Sequence, residues 1–576
     1  MKSVEKKERY VADFETLVLA QEAIDAGKPT YVWAWALCDC NDIDKVIYGT
    51  DIASFFKQLG KLKSGSEVYF HNLKFDGQFL VAYMLKNGWQ QVESNRKMPE
   101  NTFTSLVSEI GIWYSLQIKI NKKNIHIQDS LKKLPFSVRV LAKQLGLPEE
   151  KGEIDYKKYR EEGGTLSQED KDYIRRDVQI VARALNEVCF KKSLFKMTIA
   201  SDCMKYYKDT FPKFKEYYPE LSDEEDEFCR NAYKGGYCYV NPKIQEKLIR
   251  KIGTTYDYNS MYPSVMHSQS SYPYPIGKPV YYKGQYKQDW KYDLYIQHFV
   301  AMFKLKKGKV PTVQIKNSIY YKESEYLSEV TEPVELYMTN IDLQRFFDHY
   351  DIFSYIPIDG YKFESSVGMF DEYIDHWYKY KEECTISGDK VGRMQSKLML
   401  NSLYGKFATS TNATMQKFYL DEDGIVKHDN IEKEKKGIYV PIGAFITAYA
   451  RKELLDAIQA NYNIFCYCDT DSIHITAPEA KGIKVHDSKL GFWKKESTWD
   501  KAKFLRQKTY SEHIYDPKND SYYWDYKACG MNDEVKENIK DIDDFFVGGV
   551  YPGKKIVKRV PGGVVITETT FRISLI

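Results

Sequence analysis

The sequence predicts a multidomain chain, α/β at its start and α+β beyond it. Three observations carry that prediction. The chain has 576 residues, too many for one ordinary domain, and 43% of them are hydrophobic, enough for several cores. The first ~190 residues alternate strand-like and helix-like patterns. Beyond them come a Tyr-, Pro- and Lys-rich stretch of short strands and turns, two helices, a further helix and a strand pair.

Taken in order, RYVADFETLV reads as a strand. EVYFHNLKF reads as a strand leading into GQFLVAYMLKNG, a helix with Gly just past its end. SQEDKDYIRRDVQIVARALNEV opens with Ser167 as N-cap and continues at helical spacing. Residues 209–228 form a charged, Pro-broken connection. From 270 to 365 the chain is rich in Tyr, Pro and Lys and reads as short strands and turns. DEYIDHWYKYKEE and KVGRMQSKLMLNSLYGKFA read as two helices. A polar segment turns at Asp423–Gly424, and a helix follows around AFITAYARKELLDAI. IFCYC and SIHIT flank a polar DTDS tip, a strand pair. The end, KKIVKRVPGGVVITETTF, is basic and turns through Pro-Gly-Gly into strand. There is no internal repeat and no low-complexity segment.

Composition excludes several classes. Lys+Arg 84 against Asp+Glu 81 leaves a net charge of only +3, so any nucleic-acid surface must come from sorting charge onto faces. The ten cysteines include two C-x-C pairs, Cys38/Cys40 and Cys466/Cys468, without a second pair or a His at zinc spacing, which implies a reduced, intracellular protein. MKSVEKKERY lacks the apolar stretch of a signal peptide, and no run approaches the ~18 apolar residues of a membrane span. The 48 Tyr fit base-stacking surfaces, but an A/T-rich genome explains most of them.

Asp469 and Asp471 stand one residue apart at a hairpin tip, where two carboxylates repel unless a cation lies between them. A calcium loop is excluded, because Ile473 and His474 fall where the third ligand and the Gly belong. TYDYNSMYPSVM adds Asp257 near the end of a strand. A strand Asp with a hairpin Asp pair suits two Mg²⁺ ions placed for in-line phosphoryl displacement. In KLMLNSLYG, Lys397, Asn401 and Tyr404 fall at i, i+4 and i+7, offering charge, amide and ring to a nucleotide from one helix face. The same helix also suits a plain core through Leu398, Met399, Leu400 and Leu403.

DYNSMYPSV, KLMLNSLYG and YCDTDS, in this order, resemble the A, B and C motifs of family B DNA polymerases. The resemblance implies that Asp257 and Asp471 hold metals, with Asp469 beside them. It makes Tyr262 a steric gate against ribose, and Lys508 and Tyr510 of KTY holders of the primer terminus.

The N-terminal part has its own set. Asp13 and Glu15 of DFE share one strand face; Asp76 lies in HNLKFD; Tyr173 and Asp177 stand at i, i+4 on a helix. Four carboxylates and a phenol resemble a DnaQ-like 3′–5′ proofreading exonuclease of RNase H-like fold, with two metals activating a water. Asn72, Phe75 and Phe79 then resemble contacts to a frayed single strand. Ser130, Leu131 and Lys151 match further positions of that domain.

From Asp257 to Lys397 is 140 residues, more than a palm-to-fingers connection needs. That insertion, a second one after motif B, and YKGG with Tyr233, Gly235 and Gly236 resemble the protein-primed polymerases of the phi29-type phages. Arg393 stands where that group has a Lys, and Lys381 resembles another basic fingers position. The resemblance implies an exonuclease domain (1–197), palm (198–268 and 441–529), a first insertion (269–368) serving the terminal protein and strand displacement, and fingers (369–408). A second insertion (409–440) serves processivity and a thumb (530–576) closes the chain. It implies Mg²⁺, two per active site, with Mn²⁺ as substitute. The expected partners are template and primer DNA, dNTPs, a terminal protein and a single-stranded-DNA-binding protein. A monomer in the cytoplasm of a bacterial host is expected. A nucleic-acid-primed family B enzyme shares the same sites and stays open, as does an inactive DNA-binding relative, although no catalytic carboxylate is missing.

Overall fold

The computed structural model describes residues 7–93, 97–147, 158–315, 321–322, 324–434 and 436–574. Lys151 lies outside the described residues.

The first sheet has eight strands: β1 (Arg9–Thr16), β2 (Val32–Asp39), β3 (Asp42–Gly49), β4 (Glu67–Phe70), β5 (Gln90–Gln91), β6 (Thr102–Val107), β7 (Trp113–Ile120) and β8 (Lys123–Asp129). Their order is β3-β2-β1-β4-β8-β7-β6-β5. Because β1 is central, its alternate side chains feed two cores: Val11 packs with Ile174 and Val178, Phe14 with Leu80 and Val81. Ser167 caps the Gln168–Val188 helix in a full capping box with Asp170. The strand predicted through HNLKF stops at Phe70. Asn72 turns the chain at φ 77°, and Leu73 already opens the helix that runs to Lys86.

The 209–228 connection carries helical turns, Phe214–Tyr217 and Asp223–Ala232, between its breaks. Next come β9 (Cys238–Val240) and β10 (Leu248–Tyr258). A four-stranded antiparallel sheet follows, built of β11 (Tyr274–Lys283), β12 (Leu294–Leu305), β13 (Glu329–Thr339) and β14 (Tyr350–Ser366) in the order β11-β14-β12-β13. The predicted short strands are therefore long; β14 alone has 17 residues. Helices Asp371–Ser387 and Lys390–Ser402 follow. The second ends earlier than predicted, at Ser402, and Tyr404–Phe407 forms a separate turn. The hairpin of β15 (Asn412–Leu420) and β16 (Val426–Glu434) precedes the Val440–Ala460 helix.

β17 (Phe465–Asp469), β18 (Ser472–Ile475), β19 (Trp493–Arg506), β20 (Thr509–Asp516) and β21 (Ser521–Ala528) complete a seven-stranded sheet ordered β21-β20-β19-β10-β18-β17-β9. A last hairpin pairs β22 (Val550–Val560) with β23 (Gly563–Arg572). One core runs unbroken from Ile174 and Val178 to Met399, Phe407 and Phe445, so the halves are packed into one body. The two hairpins enter the core of the first sheet through Phe418, Val426 and Val564. Among the described residues, no helix is long and apolar enough to cross a membrane.

Candidate active sites

The first site is built by strand pairing. Asp257 sits opposite Ser472 of β18 and Lys494 of β19, and Asp469 also faces Ser472, so Asp257 is carried to the hairpin tip. The tip is held hard. The Tyr258 amide donates to Asp471 O at 2.7 Å, and the Thr470 amide to Tyr237 O at 2.8 Å. Thr470 itself stands at φ 60°, a strained conformation for a β-branched residue.

Burial pushes the Asp257 carboxyl up to about 7, with Asp471 and Glu496 adding to the rise. The Asp471 carboxyl is pushed up to about 6, again first by burial. Asp469 is different: the Lys508 ammonium binds its oxygens at 2.9 and 3.1 Å. KTY thus reaches the hairpin, with the Tyr510 ring 4.9 Å from Tyr467. Underneath lies a polar group invisible in the sequence. His474 Nδ1 meets Glu512 at 2.7 Å, Thr255 donates to Glu512 at 2.8 Å, and Trp499 donates to Thr255 at 3.2 Å.

Opposite the carboxylates, Arg393, Lys397 and Asn401 form the exposed stripe of the Lys390–Ser402 helix, while Gln395, Ser396, Met399 and Leu400 are buried. Burial, Lys397 and Arg393 together draw the Lys381 ammonium down to about 8. Lys397 is also lowered, first by burial, and feels the charges of Asp257 and Glu496. The Tyr262 and Tyr404 rings stack at 3.8 Å. Gly236 passes Thr470 so closely that a Cβ there would lie 2.7 Å from Thr470 Oγ1 and force the tip to shift. Arg451, which sequence reasoning missed, fixes that segment: it donates to Lys234 O and Gly235 O at 2.7 and 2.8 Å and pairs with Asp342 at 2.7 Å. Its partners lie more than 100 residues away, so no local pattern marks it.

The second site is a cavity of about 440 Å³ lined by Asp13, Glu15, Tyr173, Asp177, His71 and Phe75, with Lys555 and Ile566 from the last hairpin. Asp76 lies beneath it, and burial, then Asp13, raise its carboxyl well above the usual range. Its Oδ1 is buried with no hydrogen-bond partner. Asn72 is exposed at the rim, its amide donating to Asp129 Oδ1 at 3.0 Å. Asp129, also missed, takes the Leu131 amide on the same oxygen.

Two of the expected strand contacts, Phe79 and Ser130, are buried. Phe79 is buried against Gly563 of the last hairpin, which covers its ring. Ser130 is fully buried, donating to Phe70 O and meeting His71 Nδ1 at 2.9 Å. Ser130 thus reaches the lining residue His71, and Leu131 beside it is half-buried.

Among the described residues, no three His, Cys, Asp or Glu side chains are already drawn together as a metal site. The donor chemistry nevertheless fits hard divalent cations. Carboxylates raised by burial and then by a neighbouring carboxylate, with an orphaned oxygen on Asp76, are the hard oxygen donors such cations take, and phosphates of a substrate complete such shells.

Two carboxylate centres, a basic helix face and a palm-like antiparallel sheet define a nucleotidyl-transferring enzyme of the DNA polymerase class. The family profile "DNA polymerase type B, organellar and viral" matches residues 62–167 and 157–489. The DNA polymerase of Bacillus phage phi29 is 39% identical over 100% of both chains, and that of Bacillus phage B103 is 39% identical over 98% of this chain and 100% of its own. The structure of phi29 DNA polymerase with primer-template DNA and incoming nucleotide matches at a TM-score of 0.90 and 38% identity, covering 99% of this chain and 100% of that one. The chain belongs to the type B DNA polymerases, in the phi29-type group of phage enzymes.

Proposed function

We propose that this DNA polymerase copies a linear phage genome from a protein primer, with strand displacement, and proofreads with its own 3′–5′ exonuclease. The carrying observation is that one chain holds two separate carboxylate centres, one at a hairpin tip facing a basic helix and one in a cavity beside a phenol. Asp257 and Asp471 would hold two divalent ions, Mg²⁺ or Mn²⁺, at the first; Asp13, Glu15, Asp76 and Asp177 would do so at the second. Bound there, such ions activate the attacking oxygen and neutralise the leaving one.

The chain's own residues do the rest. Arg393, Lys397 and Lys381 receive the triphosphate, and Asn401 and Tyr404 border the nascent pair. Tyr262, fixed by its stack on Tyr404, closes the space that a 2′-hydroxyl needs. Lys508 orders Asp469 and sits where a primer end arrives. Tyr173 orients water toward the scissile phosphate, while Asn72, Phe75 and Leu131 guide a frayed strand.

The four-stranded sheet inserted within 269–368 is assigned to the terminal protein and the downstream duplex. The 409–440 hairpin is assigned to retaining product, since it is tied to the first sheet by Gln91 and to the last hairpin by Arg559. The remaining ranges are assigned as exonuclease (1–197), palm (198–268 and 441–529), fingers (369–408) and thumb (530–576). The setting proposed is a monomer in a bacterial host's cytoplasm, beside a single-stranded-DNA-binding protein.

One gel tests the core of this. Wild type and Asp469→Ala meet a labelled primer on a template with a long downstream duplex, with Mg²⁺, with and without dNTPs. The wild type extends through the duplex with dNTPs and degrades without them; the variant only degrades. Degradation without any extension by the wild type overturns the assignment of the hairpin. Transfer of a labelled dNMP to a hydroxyl of a terminal protein tests the priming.

A further inference from the structure

A fully buried ion pair joins the halves of the molecule in their interior. Lys133 Nζ lies 2.5 Å from Asp202 Oδ2, with the two side chains 0% and 1% exposed. Lys133 ends the Ser130–Lys132 turn, its amide donating to Ser130 O at 2.9 Å, and that turn meets the exonuclease cavity through Ser130 Oγ, 2.9 Å from Nδ1 of the lining residue His71. Asp202 lies on the Ile199–Thr210 helix, in the other half. The pair also closes around the link between the halves: Lys133 Nζ donates to Lys196 O at 2.7 Å, and the Lys196 amide donates to Asp202 Oδ1 at 2.8 Å.

What stands on each side gives the pair its meaning. On one side are Leu131, and Asn72 through the shared Asp129 carboxylate. On the other, Cys203 lies 3.5 Å from Met399 O on the helix that carries Lys397 and Asn401, and Tyr373 donates to the same oxygen at 2.8 Å. That helix is also bound to the exonuclease half: Gln395 donates to Val188 O, at the end of the helix bearing Tyr173 and Asp177, at 2.7 Å. A buried ion pair adds little stability over a well-packed apolar pair, because desolvation offsets the attraction. It does impose a fixed register, since each charge accepts only its partner's geometry.

We propose that Lys133 and Asp202 are positioning residues that set the Ser130–Lys132 turn, which carries Leu131 beside the His71 side of the exonuclease cavity, against the fingers, and so set how tightly a single strand is gripped for degradation. The proposal rests on the exonuclease reading above. Neither residue touches substrate.

The test uses the full chain and three substrates: the p-nitrophenyl ester of thymidine 5′-monophosphate, too small to reach the rim; a single-stranded oligonucleotide; and a primer-template with one dNTP. The variant Lys133→Met/Asp202→Leu removes both charges together, because either charge left alone would be buried unpaired. Lys133→Gln/Asp202→Asn keeps polar groups of similar shape without either charge and serves if the first double variant does not fold. The expected result is ester hydrolysis and single-nucleotide insertion at the wild-type rate. The KM for the oligonucleotide rises about tenfold, the scale of one lost contact, with kcat nearly unchanged. A folded variant with an unchanged KM overturns the proposal. So does a parallel fall on ester and oligonucleotide, which marks a merely structural pair. If the wild type cleaves neither, the exonuclease reading has failed, and this inference falls with it.

Discussion

Gly236→Ala is a single-methyl probe of the hairpin tip. The backbone at Gly236 is outside the left-handed region, so the substitution tests space and not φ. The new Cβ would lie 2.7 Å from Thr470 Oγ1 and 2.8 Å from its Cγ2, about 0.7 Å short of the 3.4 Å of an ordinary contact. Thr470 has nowhere easy to go: its amide is held by Tyr237 O, its hydroxyl donates to Asp469 at 3.2 Å, and its φ is 60°. The tip carrying Asp469 and Asp471 must therefore shift by several tenths of an ångström. Overpacking of this kind costs about 1–3 kcal/mol, which a chain with this much core survives. A misplacement of about 1 Å at reacting groups costs about 100-fold in rate. Single-turnover extension is therefore expected to fall about 10- to 100-fold, with single-strand degradation unchanged and the fold intact by circular dichroism. Extension at the wild-type rate by a folded Gly236→Ala protein would refute the claim that this approach fixes the carboxylates.

Further outcomes follow from other sites. With metal chelated, the raised Asp257 and Asp471 carboxyls favour their protonated forms in the folded state. Their stabilising contribution is full below the unfolded value near 3.8 and is lost as pH rises through about 6 and 7; the melting temperature in EDTA should fall across that window. Asp257→Asn should flatten that fall and abolish extension; an unchanged slope would count against the repulsion. Arg559 donates to His428 Nδ1 at 2.9 Å, which requires a neutral imidazole, and burial, then Arg559, holds His428 below its usual range. Product length per binding event should therefore shorten only as pH falls below the ordinary imidazole range, where the lowered His428 at last takes up a proton, and Arg559→Ala should shorten it at every pH with single-nucleotide insertion intact. Equal loss of both would show that the contact does not serve retention. Tyr262→Ala should raise ribonucleotide insertion relative to deoxynucleotide by tenfold or more, about 1.4 kcal/mol or above; unaltered selectivity would remove Tyr262 as the gate.

The parts legible in the sequence are those whose logic is local. The Asp469–Asp471 tip, the Lys397–Asn401 pair and the Asp13–Glu15 strand face each follow from spacing of two to four residues, whereas Tyr404, read on the same helix face, lies past the helix end at Ser402. Ser167 announced its helix as an N-cap, and its capping box closes within four residues, on Asp170. What could not be read depends on distant partners. Arg451 needs Asp342 and Gly235; Gln395 needs Val188; Glu512 needs His474 across the sheet. Phe79 and Ser130 look like surface residues by their neighbours in sequence, but the last hairpin and the Phe70 turn cover them. The 270–365 stretch hid its long strands because its Pro and Tyr residues mimic turns, whereas β14 places Pro357 opposite Phe299 within one continuous run.

The β15–β16 hairpin has a consequence for anyone redesigning this enzyme. It looks like a cassette, a two-stranded excursion between two helices. Yet Phe418 stacks on Trp113 at 5.3 Å, its amide donates to Gln91 at 2.8 Å, and Phe418 and Val426 are part of the exonuclease core. Excising it would uncover Trp113 and forfeit an aromatic pair together with its buried area, so a truncated protein would lose solubility along with grip. Modularity here ends at the primary sequence. Tuning the enzyme's hold on DNA calls for point changes at the hairpin's rim, where Arg559 meets His428, and for leaving its root in place.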